Sequence, residues 1–109
     1  MDNRMIYVTT SSPEEAERIG RTLVQERLAA CVNLIEGMRS LYWWEGTVQE
    51  GREVVLIAKS TAERVPALIA RVKSLHSYTC PCVVTLPLLE GNPDFMAWIE
   101  RETQNRDGG

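Results

Sequence analysis

The chain has 109 residues, 44% apolar and 25% charged, with a net charge of −3 at pH 7. That length can bury one domain's core without disulfide or metal staples, and the lack of clustered Lys and Arg argues against a nucleic-acid partner. No apolar run reaches the ~20 residues of a membrane helix, the N-terminus lacks signal-peptide form, and an odd count of three cysteines suits a reducing cytoplasm.

Met5–Thr10 is short, β-branched and aromatic, the composition of a strand. Ser12-Pro13-Glu14-Glu15 then combines a Ser cap, a proline at the first helical position and Glu at the third, a capping box. Ala16, Ile19, Gly20, Leu23, Val24 and Leu28 follow at helical spacing, which predicts an amphipathic helix over residues 13–28. Gly20 on the apolar stripe costs roughly 1 kcal/mol of helix propensity against Ala, and a close helix–sheet contact would compensate.

From Ala30 to Val48 the pattern is extended, broken at Gly37. Glu45-Gly46 reads as a bulge and Glu50-Gly51 as a hairpin turn. Val54–Lys59 is the return strand, apolar enough for burial on both faces. Val65, Leu68, Ile69, Val72 and Leu75 mark a second helix with Pro66 in its first turn. Cys82–Leu86 reads as another buried strand closed by Pro87, and Asn92-Pro93-Asp94 caps a last helix. Residues 1–4 and 104–109 are expected to be loose ends. The order β-α-β-β-α-β plus a closing helix predicts an α+β, ferredoxin-like split βαβ fold, one domain over residues 1–109.

The arms of the central hairpin exceed the mean strand length of ~5–6 residues, so they project beyond the sheet. Alternation puts Ser40, Tyr42, Trp44 and Gly46 on one face and Leu41 and Trp43 on the other. A ribbon apolar on both faces needs cover from neighbouring subunits, or else its aromatics fold back on their own helices.

His76 is the single histidine and stands at the end of the second helix, where the dipole favours a protonated imidazole. It reads either as a metal ligand or polar cleft residue, or as a helix-end group satisfying free carbonyls. Cys80 and Cys82 flank Pro81; on an extended strand their Cα atoms are roughly 6.5 Å apart. That spacing is wide for tetrahedral zinc and suits two-coordinate Cu(I), although both fit equally as small packing residues. Cys31 reads as a packing residue. Glu14, Glu15, Glu17, Glu26, Glu100 and Glu102 read as solvated helix charges. No nucleophile–base set or glycine-rich phosphate loop is marked out, so the expected role is not enzymatic.

Leu28-Ala29-Ala30-Cys31-Val32-Asn33, Ser40-x-Tyr42-x-Trp44-x-Gly46, Glu53, Lys59 and Leu75-His76-x-Tyr78-x-x-Pro81 occur in that order. Together they resemble the divalent-cation tolerance protein family, CutA, over roughly residues 5–103. The resemblance implies a homotrimer whose long hairpins pair across subunits, and a role in tolerance of copper and other divalent cations. Taken with the thiol–imidazole cluster, it makes His76 the expected metal ligand, with Cys80 and Cys82 as its helpers. The trimer also resembles the PII signalling proteins, which implies inter-subunit clefts that bind a small effector or a partner protein. Tyr42, Trp44, Glu53, Lys59 and Tyr78 would line such a cleft. Glu53 and Lys59, six apart on a strand, share a face and stand open to an ion pair or an anion site. Three positions depart from the family pattern: Ser77 replaces a proline, Cys82 an acidic residue and Thr10 a cysteine found in some bacterial members.

Overall fold

Seven elements account for most of the chain: β1 (Asn3–Thr10), α1 (Pro13–Gln25), β2 (Cys31–Trp44), β3 (Thr47–Thr61), α2 (Val65–Leu75), β4 (Val83–Pro87) and α3 (Pro93–Glu102). They are seen in a computed structural model that describes residues 2–104. The strands make one antiparallel sheet in the order β2-β3-β1-β4. With helices packed on it, this is the expected α+β ferredoxin-like arrangement. The core lies between the layers: Ile19 and Leu23 of α1 and Leu68 and Val72 of α2 cover Ile6, Val8, Leu56 and Ala58 of the sheet. Among the described residues no helix is long and apolar enough to cross a membrane.

Local chemistry explains most boundaries. The Ser12 hydroxyl accepts the Glu15 N–H at 3.1 Å with Pro13 at the first helical position, so α1 starts where expected. A Cβ on Gly20 would lie 2.9 Å from Val32 Cγ2, closer than real contacts allow, so a glycine lets α1 approach the sheet. The helix stops at Gln25, short of the predicted Leu28. Arg27 adopts φ +62°, the Leu28 N–H returns to the Leu23 carbonyl at 2.9 Å and the Arg27 N–H to that of Val24 at 3.1 Å. This Schellman-type cap still delivers Leu28 to the core, which is why its spacing looked helical.

The hairpin turn is at Glu45-Gly46, and Glu50-Gly51 lies within β3, the reverse of the sequence expectation. Glu45 (φ +50°) and Gly46 (φ +82°) are consecutive left-handed residues between the paired Trp44 and Thr47, as a two-residue type I′ loop requires. Gly51 pairs with Ser40. The bulge falls at Gly37 (φ +83°), where β2 carries one extra residue between the pairs Ile35–Val55 and Met38–Glu53.

Two further corrections concern exposure. β4 is an edge strand and not a buried one: Val84 and Leu86 are half exposed in the single chain. At the start, Asn3 is buried in β1, and its amide donates to the Met96 carbonyl at 3.1 Å, so residues 3 and 4 are not loose. Of the loose end expected over residues 104–109, all but Gln104 lies outside the described residues.

β1 ends with the pair Thr10–Val54, whereas the hairpin continues through Met38–Glu53 to Trp44–Thr47. That distal part is a bare two-stranded ribbon. It stretches the chain to 47 × 31 × 21 Å, with a radius of gyration of 14.6 Å against about 13 Å for a compact domain of this length. The ribbon's aromatics do not fold back onto the helices: Trp43 is 74% exposed, and Tyr42 and Trp44 about half.

Candidate functional site

Where β1 stops and the hairpin runs on, the segment between α2 and β4 closes the gap. Tyr42, Trp44 and Glu53 of the hairpin there meet Tyr78, Cys80 and Cys82 around a cleft of about 560 Å³. Six of the eight residues singled out from the sequence thus line one cleft. Pairing places the three together: Met38, Ser40, Tyr42 and Trp44 stand opposite Glu53, Gly51, Gln49 and Thr47, so one face of the ribbon supplies Tyr42, Trp44 and Glu53, and Leu41 joins the lining from the strand between them.

The cleft is anchored by Tyr78, whose hydroxyl donates to Glu53 Oε2 at 2.9 Å. Burial, the hydrogen bond to Glu53 and the nearby Glu53 and Glu15 charges all disfavour the phenolate, so Tyr78 keeps its proton well above its ordinary range. Tyr78 is therefore a fixed donor, and among the described residues Glu53 is the single charged side chain on the cleft wall.

His76 sits behind the wall. Its side chain is fully buried. Nε2 donates to the Thr9 carbonyl at 2.7 Å, Nδ1 accepts the Tyr78 N–H at 3.1 Å, and the ring lies 4.6 Å from that of Tyr78. A carbonyl only accepts and an N–H only donates, so the ring carries one proton, on Nε2. With both ring nitrogens engaged, neither is left free for a metal in this arrangement. His76 braces the end of β1 against the backbone of Tyr78.

Glu15 completes the brace, and the sequence reading missed it. The expected solvated helix charge is 3% exposed. Its Oε1 accepts the Ser11 N–H and hydroxyl at 2.9 Å each, and Oε2 the Ser77 N–H at 2.8 Å. Burial pushes its pKa up, but the bonds from Ser11 and Ser77 outweigh it and hold the carboxyl at about 2, against an ordinary 4.5. The capping box announced a Glu at this helix position; its contact with Ser77 had no local signal.

Lys59 is not in the cleft. Its ammonium donates to Asn33 Oδ1 at 2.6 Å, and six residues of strand separate it from Glu53 by about 20 Å. Within one chain the two form neither an ion pair nor a joint anion site. The sulfurs fare differently: Cys80 and Cys82 are both free and exposed on the cleft wall, and Cys31 is a half-buried free thiol at the start of β2. Among the described residues no group of three or more His, Cys, Asp and Glu side chains is arranged to hold a metal ion. A closed tetrahedral site within one chain does not fit this donor set.

The family model for the CutA1 divalent ion tolerance protein matches residues 4–102. The chain belongs to that family. The CutA divalent-cation tolerance protein of Thermus thermophilus is 44% identical over 99 residues, covering 91% of this chain and 96% of that one. The solved structure of the Thermus thermophilus protein superposes with a TM-score of 0.92 at 43% identity, over 94% of this chain and 99% of its own. That of the Archaeoglobus fulgidus CutA, described as a periplasmic divalent cation tolerance protein, gives 0.91 at 38% identity, over 94% and 99%. The ordered motifs of this CutA1 family member thus belong to a shared fold. Its hairpin contributes Tyr42, Trp44 and Glu53 to the cleft, and the Leu75–Pro81 stretch contributes Tyr78 and Cys80.

Proposed function

We propose that this chain serves divalent-cation tolerance as a cytoplasmic homotrimer that binds copper, as Cu(I), between Cys80 and Cys82. The observation that carries the metal assignment is the placement of two free thiols on one cleft wall, beside the hairpin root. Soft thiolates select Cu(I), which accepts two ligands where zinc demands four. Three free cysteines suit a reducing compartment. The uncovered ribbon and the open edges β2 and β4 support an oligomer, and the number three rests on the family resemblance. We read the protein as a binder and not an enzyme, since its single imidazole is spent on structural bonds.

Titration of the reduced protein with Cu(I) against a competing chelator tests this assignment. One tight equivalent per subunit is expected for the natural sequence and for His76→Asn, and loss of at least about tenfold in affinity for Cys80→Ser with Cys82→Ser, the equivalent of about 1.4 kcal/mol or more. Undiminished binding in the double serine variant overturns it.

The size of the cleft favours a second reading. About 560 Å³ is far more than a metal ion fills and lies within the range of small-molecule sites. The same cleft thus supports an effector-binding role of the PII-like kind, with copper on its thiols and an organic ligand in its body.

A further inference from the structure

We infer that the cleft takes a small organic cation carrying a primary ammonium group, held by Glu53 and faced by the rings of Tyr42 and Trp44. This assignment rests on the effector reading above and gives it a ligand class.

Among the described residues of one chain, Glu53 is the one charged side chain on the wall, and no Lys or Arg lines it. The Lys59 that would have invited an anion is bonded to Asn33, about 20 Å along the strand. An anionic ligand would meet a carboxylate with no compensating cation, and the wall's fixed charge is negative.

Acceptor capacity comes next. Glu53 uses Oε2 to accept the Tyr78 hydroxyl, and among the described residues nothing donates to Oε1. A half-buried carboxylate with one oxygen unused favours a charged N–H donor. Tyr78 keeps its single proton and gives it to Oε2, so it has none to offer Oε1.

The rings supply the rest. Tyr42 and Trp44 are about half exposed on the same ribbon face as Glu53, and the π face of an aromatic ring attracts a cation. A quaternary ammonium would use the rings and leave Oε1 without a donor. A primary ammonium uses both. A hard divalent ion needs several oxygen ligands, and the wall offers one carboxylate.

The test is calorimetric titration of the reduced, chelator-treated protein in its native assembly with n-butylammonium, tetramethylammonium and butyrate. Butylammonium is expected to saturate at one site per subunit, tetramethylammonium to bind more weakly and butyrate not at all. Glu53→Gln should weaken butylammonium by about tenfold or more, and Trp44→Leu, which keeps the carboxylate, by several-fold. Butyrate binding as well as butylammonium, or Glu53→Gln binding it undiminished, overturns the cation assignment and leaves an effector cleft of other chemistry. Saturation by none of the three overturns both.

Discussion

Glu15→Gln is expected to lower stability by on the order of 3 kcal/mol at neutral pH and to flatten the acid limb of the stability profile. The carboxylate is buried among three donors, the Ser11 N–H, the Ser11 hydroxyl and the Ser77 N–H, which together hold its pKa at about 2 instead of 4.5. The sign follows from that depression. The charged form is favoured by folding, so the contribution is full above about 4.5 and drains away as pH falls through about 2. An amide keeps the shape, loses the charge and turns an N–H₂ towards the N–H of Ser77 or Ser11, which only donates. Denaturant unfolding from neutral to acidic pH should show the natural protein losing this stability in that window and the variant lacking it. Parallel profiles for the two proteins would show that Glu15 carries no such load. Because Ser77 leads directly into Tyr78, the variant should also loosen the cleft wall.

The second large effect falls on assembly. Leu41→Ser with Trp43→Ser removes the two most exposed apolar side chains of the ribbon without touching the face that carries Tyr42, Trp44 and Glu53. If neighbouring subunits cover that face, each truncation forfeits about 2 kcal/mol of burial per subunit, enough to shift assembly by orders of magnitude in concentration. The variant should sediment as smaller species at micromolar protein, with its fold intact. An unchanged mass would mean that the ribbon is not the interface. Nothing in the core depends on either side chain, so a folded, dissociated chain is the expected product.

These two cases also mark what the sequence could and could not disclose. Local chemistry was legible: Ser12 and Pro13 start α1, Pro66 opens α2 and Asn92 caps α3, each where its side chain demands. The two Glu-Gly pairs were not, because Glu45-Gly46 and Glu50-Gly51 offer the same turn chemistry. Register decides between them, and it is fixed by the whole ladder from Cys31–Lys59 outward. Apolar runs disclosed burial but not what provides it, so Cys82–Leu86 read as interior when β4 is an edge in the single chain. In the cleft, alternation correctly grouped Tyr42 with Trp44. Equal parity put Glu53 and Lys59 on one side of the sheet, but parity carries no distance, and the two are far apart along β3. Glu15 and Ser77 are 62 residues apart in sequence, and only the packing of α1 against the exit of α2 brings them together.

The most direct measurement of the account is native mass spectrometry of the reduced protein after one equivalent of Cu(I) per subunit. A single trimer mass carrying three copper ions, and reverting to the copper-free trimer in the Cys80→Ser, Cys82→Ser variant, is the predicted result. A monomer, or a trimer whose copper content is the same with and without those thiols, would contradict it.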